Sequence, residues 1–306
     1  MISVIIPTAR RSQLLPRAIK SALAQSVNDI EVVVIVDGPD PETSQYLTQV
    51  TDPRFRYIQN VRSLGSAEAR NVGVKASRGE WIAFLDDDDE WREDKLEMQL
   101  AAAGNVDDCV IVSCLSEVVT PLQRYVWPRR VYDNLSPLAE YLFDRRSWFR
   151  GDTMLQCSSL LMPRWLFLDL MFTPIHDDWD FLLRAVNTRG AKIRTVDKPL
   201  VKHYIEDDRQ SLGASFDWKR SLAWAETNRA MINPHAYAGF CLTVIAPQAV
   251  KAGDHTAFVS LLYRALRYGR PRLVHIALYL AIWLIPMEHR QRIRSVWQGS
   301  RQSQSA

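Results

Sequence analysis

Short apolar runs separated by amphipathic stretches of helix length open the chain. SVIIP (3–7) is a β-branched run closed by proline, and EVVVIV (31–36) is apolar throughout, as a strand covered on both faces must be. FRYIQ (55–59) alternates, and WIAFL (81–85) and CVIVSCL (109–115) are again apolar, so five strands are expected before residue 116. Between the first two lies SQLLPRAIKSALAQS, which sets Leu15, Ile19, Ala22 and Leu23 on one helical face. Ser12 is placed to cap that helix, and Pro16 falls in its first turn, where the missing N–H costs nothing. A short helix is expected from Glu42, after the turn signal DGPDP. AEARNVGVKA then brings Ala69, Val72, Gly73 and Ala76 onto one face. Strands alternating with helices predict an α/β fold, a mostly parallel sheet flanked by helices.

From 116 to 215 the pattern loosens. QCSSLLM (156–162) and AKIRTVDKPLV (191–201) read as strands, with a helix opening at DDWDFLLRAV between them. Beyond 216 the chain reads as helix, in FDWKRSLAWAETNRAMI, TAFVSLLYRALRY and LVHIALYLAIWLIP. Two regions follow: an α/β domain over 1–215 and a helical C-terminal region over 216–306. The apolar run 273–286 would reach about 21 Å as a helix against a hydrocarbon core of ~30 Å, so it should not cross a bilayer. The polar end GSRQSQSA is expected to be disordered.

Composition is that of an ordinary soluble protein, with 47% hydrophobic and 24% charged residues, and a net charge of +3 does not point to nucleic acid. The distribution is less even. From Lys251 onward nine Lys or Arg face two acids, a local +7 that leaves −4 for the first 250 residues. Two readings of that basic tail stand side by side. One is a helical cap with solvated arginines. The favoured one is an interfacial anchor, with Arg264, Arg267, Arg270, Arg272, Arg290, Arg292 and Arg294 near anionic lipid. Four cysteines without metal-ligand spacing suggest free thiols in a reducing compartment. The chain starts on a strand rather than a leader peptide, so a cytoplasmic location is expected, at the cytoplasmic face of a membrane if the tail anchors.

Candidate chemistry gathers at strand ends, where open parallel sheets bind ligands. Pro7 and Thr8 follow the first strand, Asp37 and Asp40 the second, and Asp86, Asp87, Asp88 and Asp89 the fourth. Hard divalent cations prefer carboxylate oxygens, and Asp86 and Asp88 are spaced to turn towards one ion. Capping of the helix in WREDKLEMQL explains one or two of the four, with Asp89 the best placed. HDDWDFLLR (176–184) sets Asp177, Asp178 and Asp180 at a helix start, where spacing does not choose between a cap and a general base. Arg70, in GSAEARNVG, is a weak signal alone. A lone histidine such as His203 is more simply a hydrogen-bonded structural residue; it and Arg209 stay outside the proposed site.

With these residues in view, the chain resembles the family 2 glycosyltransferases of the GT-A fold over roughly residues 2–212. SVIIPTARR is similar to that family's opening strand, and VDGPD to its acidic nucleotide-recognition turn. GSAEARNVGVKASRGEWIAFLDDDDEW is similar to its stretch leading to the D-x-D metal motif, and HDDWDFLLR to its catalytic ED segment. The resemblance implies that Asp37 meets the base of a nucleotide-sugar donor, UDP-linked for preference, with Pro7 and Thr8 lining the pocket. Arg70 would lie near the donor, Asp86 would face its ribose or sugar, and Asp87 belongs to the same donor side. Asp88, helped by Asp86, would hold Mn²⁺ or Mg²⁺ on the diphosphate. Asp178 would be the general base, Asp177 would stand in the usual Glu position, and Trp179 and Arg184 would frame the acceptor site. Ala9 and Arg10 replace the family's common Tyr-Asn, and Ser63 a common Asn.

The implied activity is inverting transfer of a sugar to a hydroxyl of a glycan or lipid-linked acceptor, with no nucleic-acid partner. Two other classes compete. A sugar nucleotidyltransferase would want a glycine-rich phosphate loop after the first strand, and TARRSQ offers none. A nucleotide-sugar or glycan-binding module without turnover would have no need of Asp86, Asp88 and Asp178 together.

Overall fold

The computed structural model describes residues 1–148, 151–205, 217–286 and 289. They divide into two compact units, one of residues 1–138 with 153–209, the other of residues 139–152 with 210–306.

The first unit is built on a nine-stranded sheet. Its opening half follows the expected alternation: β1 (Ile2–Thr8), α1 (Leu15–Leu23), β2 (Ile30–Val36), α2 (Pro41–Leu47), β3 (Phe55–Gln59), α3 (Ser66–Ala76) and β4 (Trp81–Phe84). These four strands are mutually parallel in the order β3-β2-β1-β4. The short strand β5 (Glu90–Trp91), helix α4 (Lys95–Ala103), long strand β6 (Val110–Val119) and β7 (Arg124–Trp127) come next. After α5 (Leu138–Phe143) follow β8 (Leu161–Pro163), α6 (Arg164–Leu170), α7 (Asp177–Arg189) and β9 (Lys192–Tyr204). The long β6–β9 ladder is parallel, while β8, β5 and β7 supply short antiparallel pairings. Pro199 lacks an N–H for the ladder, and the β6–β9 register shifts on either side of it.

Both faces of β1 and β2 are covered. Ile2, Val4 and Ile6 pack with Val32, Val34 and Val36 beside Leu15, Ala18, Ile19 and Ala22 of α1. Ile5 and Ile35 lie under α3, which Gly73 allows to sit directly on the sheet. Phe84, Phe167, Phe172 and Phe181 form an aromatic cluster with ring centroids 4.9–5.4 Å apart.

Three local expectations change. Ser12 does not cap α1, because its hydroxyl is drawn to Glu42 at 2.6 Å. QCSSLLM is one helical turn (Cys157–Ser159) followed by β8, the turn being closed by the Ser159 hydroxyl on the Gln156 carbonyl at 2.8 Å. Asp89 does not start a helix: Glu90 and Trp91 pair with β9, and α4 begins only at Lys95.

The second unit contains α8 (Trp218–Thr227), α9 (Pro234–Gly239), a wider helical turn (Phe240–Ile245), α10 (Ala246–Lys251), α11 (Thr256–Tyr268) and α12 (Leu273–Leu284). No described helix is long and apolar enough to cross a membrane. Residues from 139 to 152 belong here because Asp144 is buried among Arg272, Arg146 and His275, at 2.8, 3.2 and 3.3 Å. Burial pushes the Asp144 carboxyl up, but hydrogen bonds from His275 and Arg272 outweigh it and hold the group well below the usual carboxylate range. Arg264 is likewise taken up, by Glu226 at 2.6 Å. Two arginines expected near lipid are thus used inside the unit, while Arg267 and Arg270 are exposed. Arg290, Arg292, Arg294, Arg209 and the terminal GSRQSQSA lie outside the described residues.

A Cβ on Gly73 would stand 2.5 Å from Ile5 Cγ2 and 3.1 Å from Ile35 Cγ1, so Gly73→Ala should destabilise the fold by about 1–3 kcal/mol. Chemical denaturation checks this, and an unchanged midpoint would show that α3 is free to lift.

Candidate active site

The four aspartates occupy a turn at the end of β4, held by the Asp89 N–H on the Asp86 carbonyl at 3.1 Å and by the Asp86 N–H on Ser158 Oγ at 3.0 Å. Their repulsion is met by Arg11, Arg17 and Arg70 and by a hydrogen bond with His203. Asp86 Oδ1 accepts from Arg70 Nη2 at 2.5 Å. Buried Asp87 accepts from the Thr8 hydroxyl at 2.7 Å and Arg11 Nη1 at 2.9 Å. The same Arg11 nitrogen reaches Asp88 Oδ2 at 3.2 Å, and Arg17 donates to the Asp88 carbonyl at 2.6 Å. Asp89 Oδ1 pairs with His203 Nδ1 at 2.8 Å. Burial pushes the Asp87 carboxyl up, against the opposing charge of Arg11 and the bond from Thr8. Burial lowers the His203 imidazole, but the bond and charge of Asp89 leave it above its ordinary value.

Asp86, Asp88 and Asp89 each offer an oxygen, all within 4.8 Å of one another. Asp89 Oδ2 is buried with no hydrogen-bond partner. A buried carboxylate oxygen left unpaired beside two others suits a hard divalent cation, which wants oxygen ligands and compensates their charge. The donor set therefore fits the expected ion, with Asp89 joining Asp86 and Asp88.

The second acidic pair enters on α7. His176 turns the chain in left-handed conformation (φ 52°, ψ 46°), and Asp177 and Asp178 occupy the first helical turn. Arg70, 6% exposed, donates to Asp177 Oδ2 at 2.8 Å through Nη1 while its Nη2 holds Asp86. One guanidinium therefore spans the strand-end cluster and the helix-start pair. It is steadied by Asn71, its neighbour on α3, which exchanges bonds with the backbone of Phe172 at 2.9 and 3.0 Å. Burial, and then the adjacent Asp177 charge, push the Asp178 carboxyl up to about 7, opposed by the Trp179 N–H and Arg70. A carboxylate poised there can take a proton near neutrality.

The other expected residues are more scattered. Asp37 is held by Asn60 at 2.9 Å, Ser63 at 2.8 Å and the Leu64 and Gly65 N–H groups at 2.9 Å. Burial raises its carboxyl, but these donors leave it below its ordinary value. From the end of β2 it thus shapes the loop 60–65 that follows β3. Pro7 is buried in β1, and the Thr8 hydroxyl is committed to Asp87. Trp179 stacks on His176, with centroids 5.1 Å apart. Arg184, one helical turn past Asp180, pairs with that residue at 2.6 Å and donates to the Leu170 and Met171 carbonyls. Sequence reasoning missed Arg11, Arg17, Ser158 and the Asp89–His203 pair. The basic residues just after β1 were the available signal, since four adjacent carboxylates demand cations from somewhere.

Known proteins resemble this chain in sequence and in fold. The profile of "Glycosyl transferase family 2" matches residues 3–161. In sequence, the chain is 27% identical over 218 residues to the "Putative colanic acid biosynthesis glycosyl transferase WcaA" of Escherichia coli K12, covering 69% of this chain and 75% of that one. It is 34% identical over 101 residues to the "UDP-Glc:alpha-D-GlcNAc-diphosphoundecaprenol beta-1,3-glucosyltransferase WfgD" of Escherichia coli, 33% of this chain and 40% of that one. In structure, S. aureus TarS 1-349 in complex with UDP-GlcNAc superimposes with a TM-score of 0.57 at 18% identity, over 99% of this chain and 92% of that one. The fold is thus that of the GT-A glycosyltransferases. The chain belongs to glycosyltransferase family 2.

Asp88→Ala should weaken Mn²⁺ binding to the donor-free protein by at least about tenfold in calorimetry. Undiminished binding would mean that the ion sits away from this turn.

Proposed function

We propose that the protein transfers a sugar from a UDP-sugar to a hydroxyl of a lipid-diphosphate-linked glycan, with inversion at the anomeric carbon. The observation that carries this reading is the Arg70 bridge, which holds Asp86 and Asp177 on one buried cation. Donor-side and acceptor-side carboxylates are thereby kept at fixed separation, as a reaction between two bound substrates requires. The names of the relatives support the substrates: WfgD takes UDP-Glc and an N-acetylglucosamine diphosphoundecaprenol.

Asp178 accepts the proton of the attacking hydroxyl. The hydroxyl oxygen bonds to the anomeric carbon as the bond from that carbon to the diphosphate oxygen breaks, and the electron pair leaves with the diphosphate. One base acting in a single displacement gives inversion. Asp86, Asp88 and Asp89 would hold Mn²⁺ or Mg²⁺, which when bound supplies positive charge for the departing diphosphate. Asp37, with Pro7 and Thr8, is assigned to the nucleotide end of the donor, and Asp87 to support of the metal-holding turn through Arg11 and Thr8. Asp177 orients the pair by accepting from the Asp178 N–H at 3.1 Å, and Trp179 borders the acceptor.

A peripheral contact with membrane fits the lipid-linked acceptor. Val259, Tyr263 and Leu266 on α11 are exposed at helical spacing, as are Leu273, Leu280 and Leu284 on α12, with Arg267 and Arg270 nearby in sequence. Leu266→Glu with Leu280→Glu should abolish flotation with anionic liposomes; flotation equal to that of the parent would remove the contact.

Because the Asp178 carboxyl is raised to about 7 and works only when ionised, turnover should climb as pH rises through about 7. Above about pH 7, where the wild-type carboxyl is ionised, Asp178→Asn should cut turnover by ~10² or more, and it should leave metal-dependent donor binding nearly intact. A variant that retains the wild-type rate and pH limb would remove Asp178 from the role of base.

A further inference from the structure

We propose that Tyr125 and Trp127 on β7 form a stacking platform for a pyranose ring of the acceptor, an assignment that rests on the transferase reading above. Side chains on a strand alternate between faces, and residues paired across strands share one. Tyr125 pairs with Val118 of β6, and Val118 pairs in turn with His203 of β9. Trp127 pairs with Ser116, whose partner on β9 is Val201. Both rings therefore lie on the sheet face that carries His203 and, through it, Asp89 of the acidic turn. Arg124 and Val126 occupy the opposite face, together with Glu117, which Arg124 approaches at 3.9 Å.

The two rings are tilted by 56° with centroids 5.6 Å apart, and both residues are half-buried. Trp127 is fixed by its indole N–H on the Thr153 carbonyl at 3.2 Å. The chain from Thr153 runs back along the same face, where Gln156 donates to Ser116 Oγ at 3.2 Å. It continues into the turn at Cys157–Ser159, whose Ser158 hydroxyl accepts from the Asp86 N–H. The platform and the metal-holding turn are thus two ends of one strap. The β7 row that carries the platform and the β9 row that carries His203, the partner of Asp89, are two strand spacings apart, about 10 Å, a span that a sugar or two can bridge.

The chemistry of the patch selects its ligand. A pyranose carries hydroxyls around its rim and a cluster of polarised C–H groups on one face. The electron-rich face of an aromatic ring attracts such C–H groups and takes their apolar area out of water. A rigid aromatic pair with polar groups at its margin (Gln156, Ser116, the Thr153 carbonyl) suits an amphipathic ring of this kind.

Kinetics with an α-N-acetylglucosamine diphosphate carried on a short alkyl chain tests the platform. Tyr125→Leu should raise the acceptor KM about tenfold, while Tyr125→Phe keeps it within about twofold. Donor KM and the acceptor-free hydrolysis of the UDP-sugar should stay within about twofold in both variants. An unchanged acceptor KM in Tyr125→Leu, or an equal loss in Tyr125→Phe, would overturn the proposal. Fluorine NMR of the 5-fluorotryptophan-labelled wild type needs no altered site: the Trp127 resonance, assigned by Trp127→Phe, should move on adding the acceptor. A resonance that stays in place overturns the platform even if the kinetic variants fold poorly. A wild-type protein that hydrolyses the UDP-sugar but neither transfers to nor binds this acceptor sinks the platform alone. One that hydrolyses no UDP-sugar sinks the transferase reading beneath it.

Discussion

Four consecutive carboxylates at the end of a buried strand repel one another strongly in a medium less polar than water, and the first unit is arranged around relieving that repulsion. Arg11 and Arg17 come from the segment after β1, Arg70 from α3, and His203 from the end of β9. Between them they reach every member of the run. Asp87 is thereby used as an anchor inside the protein, and Asp86, Asp88 and Asp89 are left with oxygens gathered around a common point. Without those partners the turn would open, and there would be no gathered donor set.

Arg70 carries a second consequence. Its guanidinium is planar and its two terminal nitrogens point apart, so pairing with both Asp86 and Asp177 sets the distance between the strand-end cluster and the start of α7. A lysine could neutralise charge there but could not hold two carboxylates in a fixed fork. Asp178 then sits beside Asp177, and burial and the Asp177 charge raise its carboxyl to about 7 while Arg70 holds it within the working range. The opposing influences of burial and cation are what make this carboxyl useful near neutrality.

Much of the first unit is legible in the amino-acid string alone. Apolar runs locate β1, β2 and β4, because strands buried on both faces leave a continuous hydrophobic signature. Gly73 marks the face of α3 that meets the sheet, and the order of the motifs around Asp37, Asp86, Asp88 and Asp178 carries the resemblance to the family. Less legible are the residues whose roles depend on partners far away in sequence. Asp89 looks like a helix cap because the local string allows it, whereas its partner lies 114 residues on. Arg184 gives no local sign that, besides Asp180, it holds the Leu170 and Met171 carbonyls of the preceding helix end. The segment 139–152 gives no local sign of belonging with the helices, since the pairings that tie it there are distant in sequence, among them Asp144 with Arg272 and His275, Phe143 with Phe240, and Glu140 with Asn233.

The sequence by itself determined the alternation of strands and helices, the family, and the residue types at the ends of the strands, because periodicity and short motifs act over a few residues. The tertiary structure decided which aspartates share a point in space, which cation holds which carboxylate, and which face of β7 looks towards the acidic turn. Those outcomes depend on strand order and register, which arise from packing between segments tens of residues apart and leave no local trace in the string of amino acids.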